Sequence, residues 1–169
     1  DPARKYPVMI DPSLMESWPG IARDTWVGSA AANSSHGSET RMNAFRSSNA
    51  AYGKARSLIY FDLPDEVYGS YIELAELDLT VAWTSPGNKP IRIAAMSKTW
   101  AESSTWNSLD MNNCRLHEAV ASTYNPGNGG RLYMQTVTDI VRHWADYSLT
   151  NNGFCIYVED PEQDVSHVL

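Results

Sequence analysis

Residues 75–83 read Ala-Glu-Leu-Asp-Leu-Thr-Val-Ala-Trp, and an apolar side chain occupies every odd-numbered position. Because successive side chains of a strand point to opposite faces, this period of two predicts a β-strand with one face on a core and the other facing water. Upstream, residues 56–63 read Arg-Ser-Leu-Ile-Tyr-Phe-Asp-Leu and also alternate, with Ile59, Phe61 and Leu63 on one face. Both stretches predict strands.

Short strands and one helix are predicted for the rest of the chain. The other strands are expected at 24–27, near 40–45, at 90–94 and at 154–158. One short helix is expected near residues 137–146, where apolar side chains recur at helical spacing at Val137, Ile140, Val141 and Trp144. Thr136 or Thr138 could cap its start. Short strands joined by Gly, Pro and Asn turns predict an all-β fold, an antiparallel two-sheet β-sandwich.

Length and charge restrict the possible functions. The chain has 169 residues, the usual size of one domain with one core. It carries 13 Lys and Arg against 20 Asp and Glu, a formal net charge of −7 with histidine neutral. An acidic chain repels a phosphate backbone, so we expect no nucleic acid partner. No run of about 18 apolar residues is present, so no membrane span is expected.

The chain is expected to divide into an extended lead segment at 1–20 and one domain at 21–169. Pro7 and Pro12 bracket a short apolar run in the lead, which favours an extended edge segment over a helix. The chain starts at Asp1 with neither a methionine nor an apolar signal core. We therefore expect a piece of a longer protein, from which any targeting signal is missing.

The two cysteines, Cys114 and Cys155, lack the spacing of a zinc site. They could form a disulfide in an oxidising compartment or remain two buried thiols. A domain of this size does not need a disulfide to fold, which favours free thiols.

Motifs for catalysis are missing from the sequence. It has no G-x-S-x-G elbow, no glycine-rich phosphate loop before a helix, and no H-E-x-x-H pair. Glu76 and Asp78 could form a carboxylate pair, but the alternation around them predicts a solvated sheet face. We therefore expect a protein that is not an enzyme.

A structural calcium ion is one interpretation of the loop acids and amides. Oxygen ligands are available at Asp24, Asn33, Glu39 and Asp62. No loop has the alternating acidic pattern of a dedicated calcium loop. Structural Ca²⁺ and hydrogen-bonded loop acids both remain open, with Asp24, Asn33 and Asp62 as the candidate metal ligands.

Large aromatic residues are abundant, with six Trp and nine Tyr against three Phe. Trp100, Trp106 and Trp144 lie in apolar patterns and are predicted in the core. The rings in loop-like or polar surroundings are Trp18, Tyr52, Tyr68, Tyr71, Tyr124 and Tyr147. Such rings serve either as loop anchors or as platforms on which the apolar face of a sugar stacks.

The candidate ligand contacts are five of these rings and one arginine: Trp18, Tyr52, Tyr68, Tyr71, Tyr124 and Arg92. An acidic polymer such as alginate would further require a basic patch. The cations that could gather into one are Arg41, Arg46, Lys54 and Arg92.

The order of motifs between residues 22 and 159 resembles the DNRLRE domain family. Residues 24–27 (D-T-W-V) are similar to its D-T-Y-V opening, and 56–64 (R-S-L-I-Y-F-D-L-P) to its R-x-L-I-x-F-D-L-P strand. Similar matches follow at 33–37, 72–79, 100–107, 137–144 and 151–154. Thr136 stands where the family usually has Asp, and Ala44 stands near the position where a family Gly is expected.

The resemblance implies a jelly-roll-like β-sandwich without catalytic residues, an accessory module of large secreted or cell-surface bacterial and archaeal proteins. Some members accompany polysaccharide lyases and bind carbohydrate, which implies a polysaccharide or cell-surface glycan as partner. Others precede Rhs/YD-repeat shells, and residues 6–12 (Y-P-V-M-I-D-P) resemble a segment of those proteins. The alternative function is a structural or protein-interaction module of an Rhs/YD-repeat toxin or adhesin, with the rest of its own protein as partner.

Overall fold

The computed structural model describes residues 23–47, 49, 51–81, 91–112, 114, 116–117 and 131–158. The described strands are β1 (Arg23–Gly28), β2 (Phe45–Arg46), β3 (Lys54–Tyr60), β4 (Glu76–Val81), β5 (Ile91–Met96), β6 (Leu116–His117), β7 (Arg131–Thr136) and β8 (Phe154–Val158). One α-helix, α1, spans Thr138–Ala145, and a short 3₁₀ turn spans Asp65–Val67. The predicted lead segment, Trp18 and Tyr124 lie outside the described residues.

The strands form two antiparallel sheets. The larger has the order β1-β3-β8-β5-β6, with β2 also paired to β3. The smaller consists of β4 and β7, paired from Glu76 opposite Thr136 to Val81 opposite Arg131. The prediction of a mostly β, antiparallel fold with one short helix is thus confirmed.

The larger sheet is covered on both faces, which explains why β3 and β8 are buried along most of their length. Alternate residues of these strands belong to two different core clusters. The first cluster packs under the 97–114 loop and contains Val27, Leu58, Ala94, Met96, Trp100, Trp106, Leu109, Met111, Cys114, Cys155 and Tyr157. The second contains Ile59, Leu77, Ile93, Ala95, Val137, Ile140, Val141, Trp144, Phe154 and Ile156.

Strand β4 follows the predicted alternation where its side chains are described. Leu77 is buried and Asp78 is exposed. Leu77 shares the second cluster with Ile59 of the larger sheet. Burial of alternate positions against that cluster leaves the other face of β4 in water.

Helix α1 begins at Thr138 and buries its predicted apolar stripe in the second cluster. The prediction that a threonine caps it is wrong, because Val137 occupies the cap position without a side-chain hydrogen bond. The Thr138 hydroxyl instead accepts the Ala75 N–H at 2.9 Å and donates to the Ala75 carbonyl at 3.3 Å. The hydroxyl therefore fixes the chain just before β4.

Three further details refine the sequence predictions. The short strand expected near 40–45 is only Phe45–Arg46. Trp100, Trp106 and Trp144 are buried, as predicted. Both cysteines are buried free thiols.

Among the described residues, no helix has the length and apolar character needed to cross a membrane.

Candidate ligand-binding surface

Residues 68–75 lie antiparallel to helix α1 and are held there by hydrogen bonds. Near one end, the Gly69 N–H donates to the Ala145 carbonyl at 2.7 Å. In the middle, Arg142 Nε donates to the Ile72 carbonyl at 2.7 Å. At the far end, the bonds between Thr138 and Ala75 described above complete the attachment. The segment is therefore fixed along the whole helix.

Arg142 is the main side chain in this attachment. Besides the Ile72 bond, Nη2 donates to the Glu73 carbonyl at 3.3 Å and Nη1 to Asp139 Oδ1 at 3.4 Å. The guanidinium carbon lies 5.4 Å from the centroid of the Tyr71 ring, a cation–π distance. One side chain thus fixes the backbone of the segment and supports an exposed ring.

Three tyrosines project from the segment and the end of the helix. Tyr68 and Tyr147 stack on each other, with ring centroids 5.5 Å apart and planes inclined by 23°. Tyr147 is 72% exposed and Tyr71 is 83% exposed. We call Tyr68, Tyr71 and Tyr147 the tyrosine surface.

Tyr147 has an unfavourable backbone conformation, with φ at +62°. A side chain with a Cβ is disfavoured in this left-handed region, where Gly or Asn is preferred just after a helix. The exposed ring gains little from burial, so packing alone does not account for a tyrosine here. Strained residues of this kind are concentrated at functional sites.

Acidic side chains surround the tyrosine surface in the chain. Asp65 and Glu66 lie in the 3₁₀ turn just before Tyr68, Glu73 follows Tyr71, and Asp146 precedes Tyr147. All four are exposed. Hydrogen bonds from the Ser148 side chain and N–H lower the pKa of the Asp146 carboxyl below its usual value.

Of the candidate ligand contacts, Tyr68 and Tyr71 lie on the segment that runs along α1, and Tyr52 lies elsewhere. Tyr52 is 63% exposed, two residues before β3 begins at Lys54. Tyr68 lies near Tyr60, at the other end of that strand. The pKa of Tyr60 is raised first by burial, then by Asp62 and last by the charge of Tyr68. A seven-residue strand is about 20 Å long, so Tyr52 cannot share a small ligand with Tyr68.

Arg92 lies on β5, opposite Tyr157 of β8, and is half-buried in the sheet. Of the four cations considered for a basic patch, Arg46 and Lys54 are register partners in β2 and β3. Strand β8 lies between β3 and β5, which places Arg92 on a different strand pair. The sheet therefore brings two of these cations together as direct neighbours.

The candidate metal ligands lie on separate elements. Asp24 is in β1, and Asp62 follows β3. Asp62 hydrogen-bonds to Tyr60, whose pKa is raised first by burial and second by this hydrogen bond. Asn33 Oδ1 accepts a hydrogen bond from Asn107 Nδ2 at 2.9 Å. Within the described ranges, no group of three or more His, Cys, Asp or Glu side chains could hold a metal ion. Structural calcium stays a prediction.

Glu39 belongs to a compact cluster that sequence reasoning misses. His36 Nδ1 donates to Oε1 of Glu39 at 2.7 Å and Trp26 Nε1 to Oε2 at 2.9 Å. The rings of Trp26 and His36 stack with centroids 3.6 Å apart. The bond from His36, and then that from Trp26, lowers the Glu39 pKa. The cluster fastens the 29–44 loop to β1.

Sequence reasoning also misses the contributions of Tyr147 and Arg142. Tyr147 is 79 positions from its stacking partner Tyr68, and Arg142 is 70 positions from Ile72. The local signal at Tyr147 is a ring directly after an amphipathic helix, which many buried or anchoring tyrosines share.

A scan against models of known protein families and a search of curated proteins find no match for this chain. The similarity of its motifs to DNRLRE domains therefore remains a resemblance.

Proposed function

We propose that this chain is a non-catalytic carbohydrate-binding module of a larger secreted or cell-surface protein, and that the tyrosine surface contacts the glycan. The observation that carries the proposal is Tyr147, an exposed ring in a left-handed backbone conformation, stacked on Tyr68. A residue that strains the backbone and buries little surface is explained by a ligand that covers it.

The chemistry of the surface suits a sugar. The C–H face of a pyranose is apolar and stacks on an aromatic ring, while carboxylates accept hydrogen bonds from its hydroxyl groups. Tyr71 and Tyr147 offer exposed rings, and the exposed acids beside them offer acceptors.

The ordering of the surface also favours binding. Because Arg142 and Thr138 fix the segment that carries Tyr68 and Tyr71, little conformational entropy is left to lose when a ligand binds. A pre-ordered aromatic surface needs no accompanying catalytic group, which agrees with an accessory role.

The proposed architecture is the jelly-roll-like β-sandwich of DNRLRE domains. Two antiparallel sheets that share one core cluster support it. The motif order and the surplus of Trp and Tyr support an extracellular glycan-binding role.

Affinity electrophoresis in gels that contain neutral, uronate or amino polysaccharides tests the proposal. We expect retardation in at least one gel, and a loss of most of it in Tyr71→Ala and Tyr147→Gly. Tyr52→Ala is the matched control, because it removes another largely exposed tyrosine, at the far end of β3. No retardation by any polysaccharide, or an equal loss in the control, contradicts the proposal.

A second candidate is a structural or protein-interaction module of an Rhs/YD-repeat toxin or adhesin. It is favoured by residues 6–12 and by the net charge of −7, which disfavours polyanionic glycans. YD repeats encoded directly downstream, together with no retardation in the gels above, would favour this candidate. A lyase or hydrolase domain beside the module would favour carbohydrate binding.

A further inference from the structure

We propose that the tyrosine surface selects a polysaccharide carrying free amino groups and rejects uronate polymers. This inference rests on the proposed function and names the class of glycan.

The charge at the surface is negative. Four exposed carboxyl groups lie within three residues of its rings: Asp65, Glu66, Glu73 and Asp146. The hydrogen bonds from Ser148 hold Asp146 in its ionised form by lowering its pKa. A uronate chain would bring a carboxylate on every residue into this field and would be repelled.

Arg142 does not compensate for these acids, and the charge of His143 is only the last of the causes that lower the pKa of Asp146. The Arg142 guanidinium donates to the Ile72 and Glu73 carbonyls and to Asp139, and its carbon lies 5.4 Å from the centroid of the Tyr71 ring. These bonds direct its donors into the 68–75 segment and the helix. A uronate would have to displace them, and would release the segment that orders Tyr68 and Tyr71.

An amino sugar satisfies the rings and the acids together. Its pyranose ring stacks on an aromatic face by its C–H groups, and its ammonium group binds a carboxylate at the edge of that ring. The negative face of a tyrosine also attracts a nearby cation directly. A neutral sugar gains the stacking, and its hydroxyl groups can donate to the acids, but it brings no positive charge for the acids and the rings to attract.

Isothermal titration calorimetry with three hexasaccharides tests the inference. The ligands, at a mildly acidic pH that protonates the amino groups, are a glucosamine hexamer, the same hexamer fully N-acetylated, and a mannuronate hexamer, which carry positive, no and negative charge. At low salt we expect the glucosamine hexamer to bind at least about tenfold more tightly than the N-acetylated one, with no binding of the uronate. The preference should fall as salt screens the charges.

Two charge variants give a matched comparison. Glu66→Gln with Asp146→Asn removes two of the carboxylates, and the amide oxygen introduced by Asp146→Asn can still accept the Ser148 N–H bond. We expect this double variant to lose about tenfold in affinity for the glucosamine hexamer and nothing for the N-acetylated one. Glu102→Gln is the control. Glu102 is exposed, and its carbonyl accepts from Thr25, on the opposite sheet face from α1.

The outcomes separate the inference from the function on which it rests. Equal or tighter binding of the N-acetylated or uronate hexamer, lost in Tyr147→Gly, overturns the inference and leaves carbohydrate binding intact. Equally tight binding of hexalysine also overturns it, because the surface would then bind any positively charged chain, without selecting for a sugar. Binding of no hexamer and of no polysaccharide in the gels removes both proposals.

Discussion

At the scale of single residues, Tyr147 combines two properties that rarely occur together. Its φ of +62° disfavours most side chains, and its ring is largely exposed. A protein selected for stability alone would place glycine or asparagine there. At this position, folding therefore favours glycine or asparagine, whereas the tyrosine surface requires an aromatic ring.

We predict that Tyr147→Gly is more stable to urea than Tyr147→Ala by about 1 kcal/mol, because both lose the ring but only glycine relieves the backbone strain. The glycine variant should also unfold close to the native protein, since the strain relieved and the lost stacking on Tyr68 are each about 1 kcal/mol. Urea unfolding curves of the three proteins at pH 7 measure this. An alanine variant as stable as the glycine one would contradict the strain argument.

At the scale of elements, the turn that leads into β8 depends on one glycine. Gly153 has φ at +82°, and its N–H donates to Asn151 Oδ1 at 3.0 Å. A Cβ at this position would lie 2.3 Å from the Ile59 carbonyl oxygen of the neighbouring strand. The close approach of two backbones explains why the Asn-Asn-Gly sequence precedes the strand.

We predict that Gly153→Ala lowers the free energy of unfolding by about 3 kcal/mol or more, from backbone strain plus the overlap with β3. Gly69→Ala is the matched control, because Gly69 has a similar φ of +78° and a Cβ added there would meet no atom within 4 Å. It should lose only about 1 kcal/mol. Equal losses in chemical denaturation would show that the overlap contributes nothing.

At the scale of the whole molecule, a core cluster covers each face of the larger sheet, and the Cys155 thiol is fully buried in one of them. Burial, with a smaller contribution from Cys114, raises the pKa of Cys155 to about 12, and Arg56 opposes the shift. The folded protein therefore keeps the thiol protonated at pH values where the unfolded chain ionises it.

This difference predicts that the protein loses stability in base. The contribution of the Cys155 thiol to the free energy of unfolding is fully present below pH 9.0, the ordinary pKa of a cysteine thiol. It is lost as the pH rises towards the folded-state pKa of about 12. We expect the free energy of unfolding to fall more steeply above pH 9 than in Cys155→Ala, by about 1.4 kcal/mol per pH unit. Urea unfolding at pH 8, 9.5 and 11 measures both slopes. Parallel slopes would mean that the thiol is not shielded.

A structural feature could be predicted from the sequence when the residues that determine it lie close together in the chain. The alternation at Leu77 and Asp78 and the stripe of α1 depend on neighbours a few residues away, so each was readable locally. The role of Thr138 was not, because its partner Ala75 is 63 positions upstream. The cluster of Trp26, His36 and Glu39 likewise depends on how a long loop folds back on β1.

The sequence by itself determined the β-rich class, the position of helix α1 and the burial of Trp100, Trp106 and Trp144, because periodicity and apolar character act over one element at a time. Only the tertiary structure decided which rings become neighbours. Tyr68 and Tyr147 meet because residues 68–75 run along α1, and Tyr52 is separated from them by the length of β3. A surface assembled from distant segments depends on the path of the whole chain, and no local pattern encodes that path.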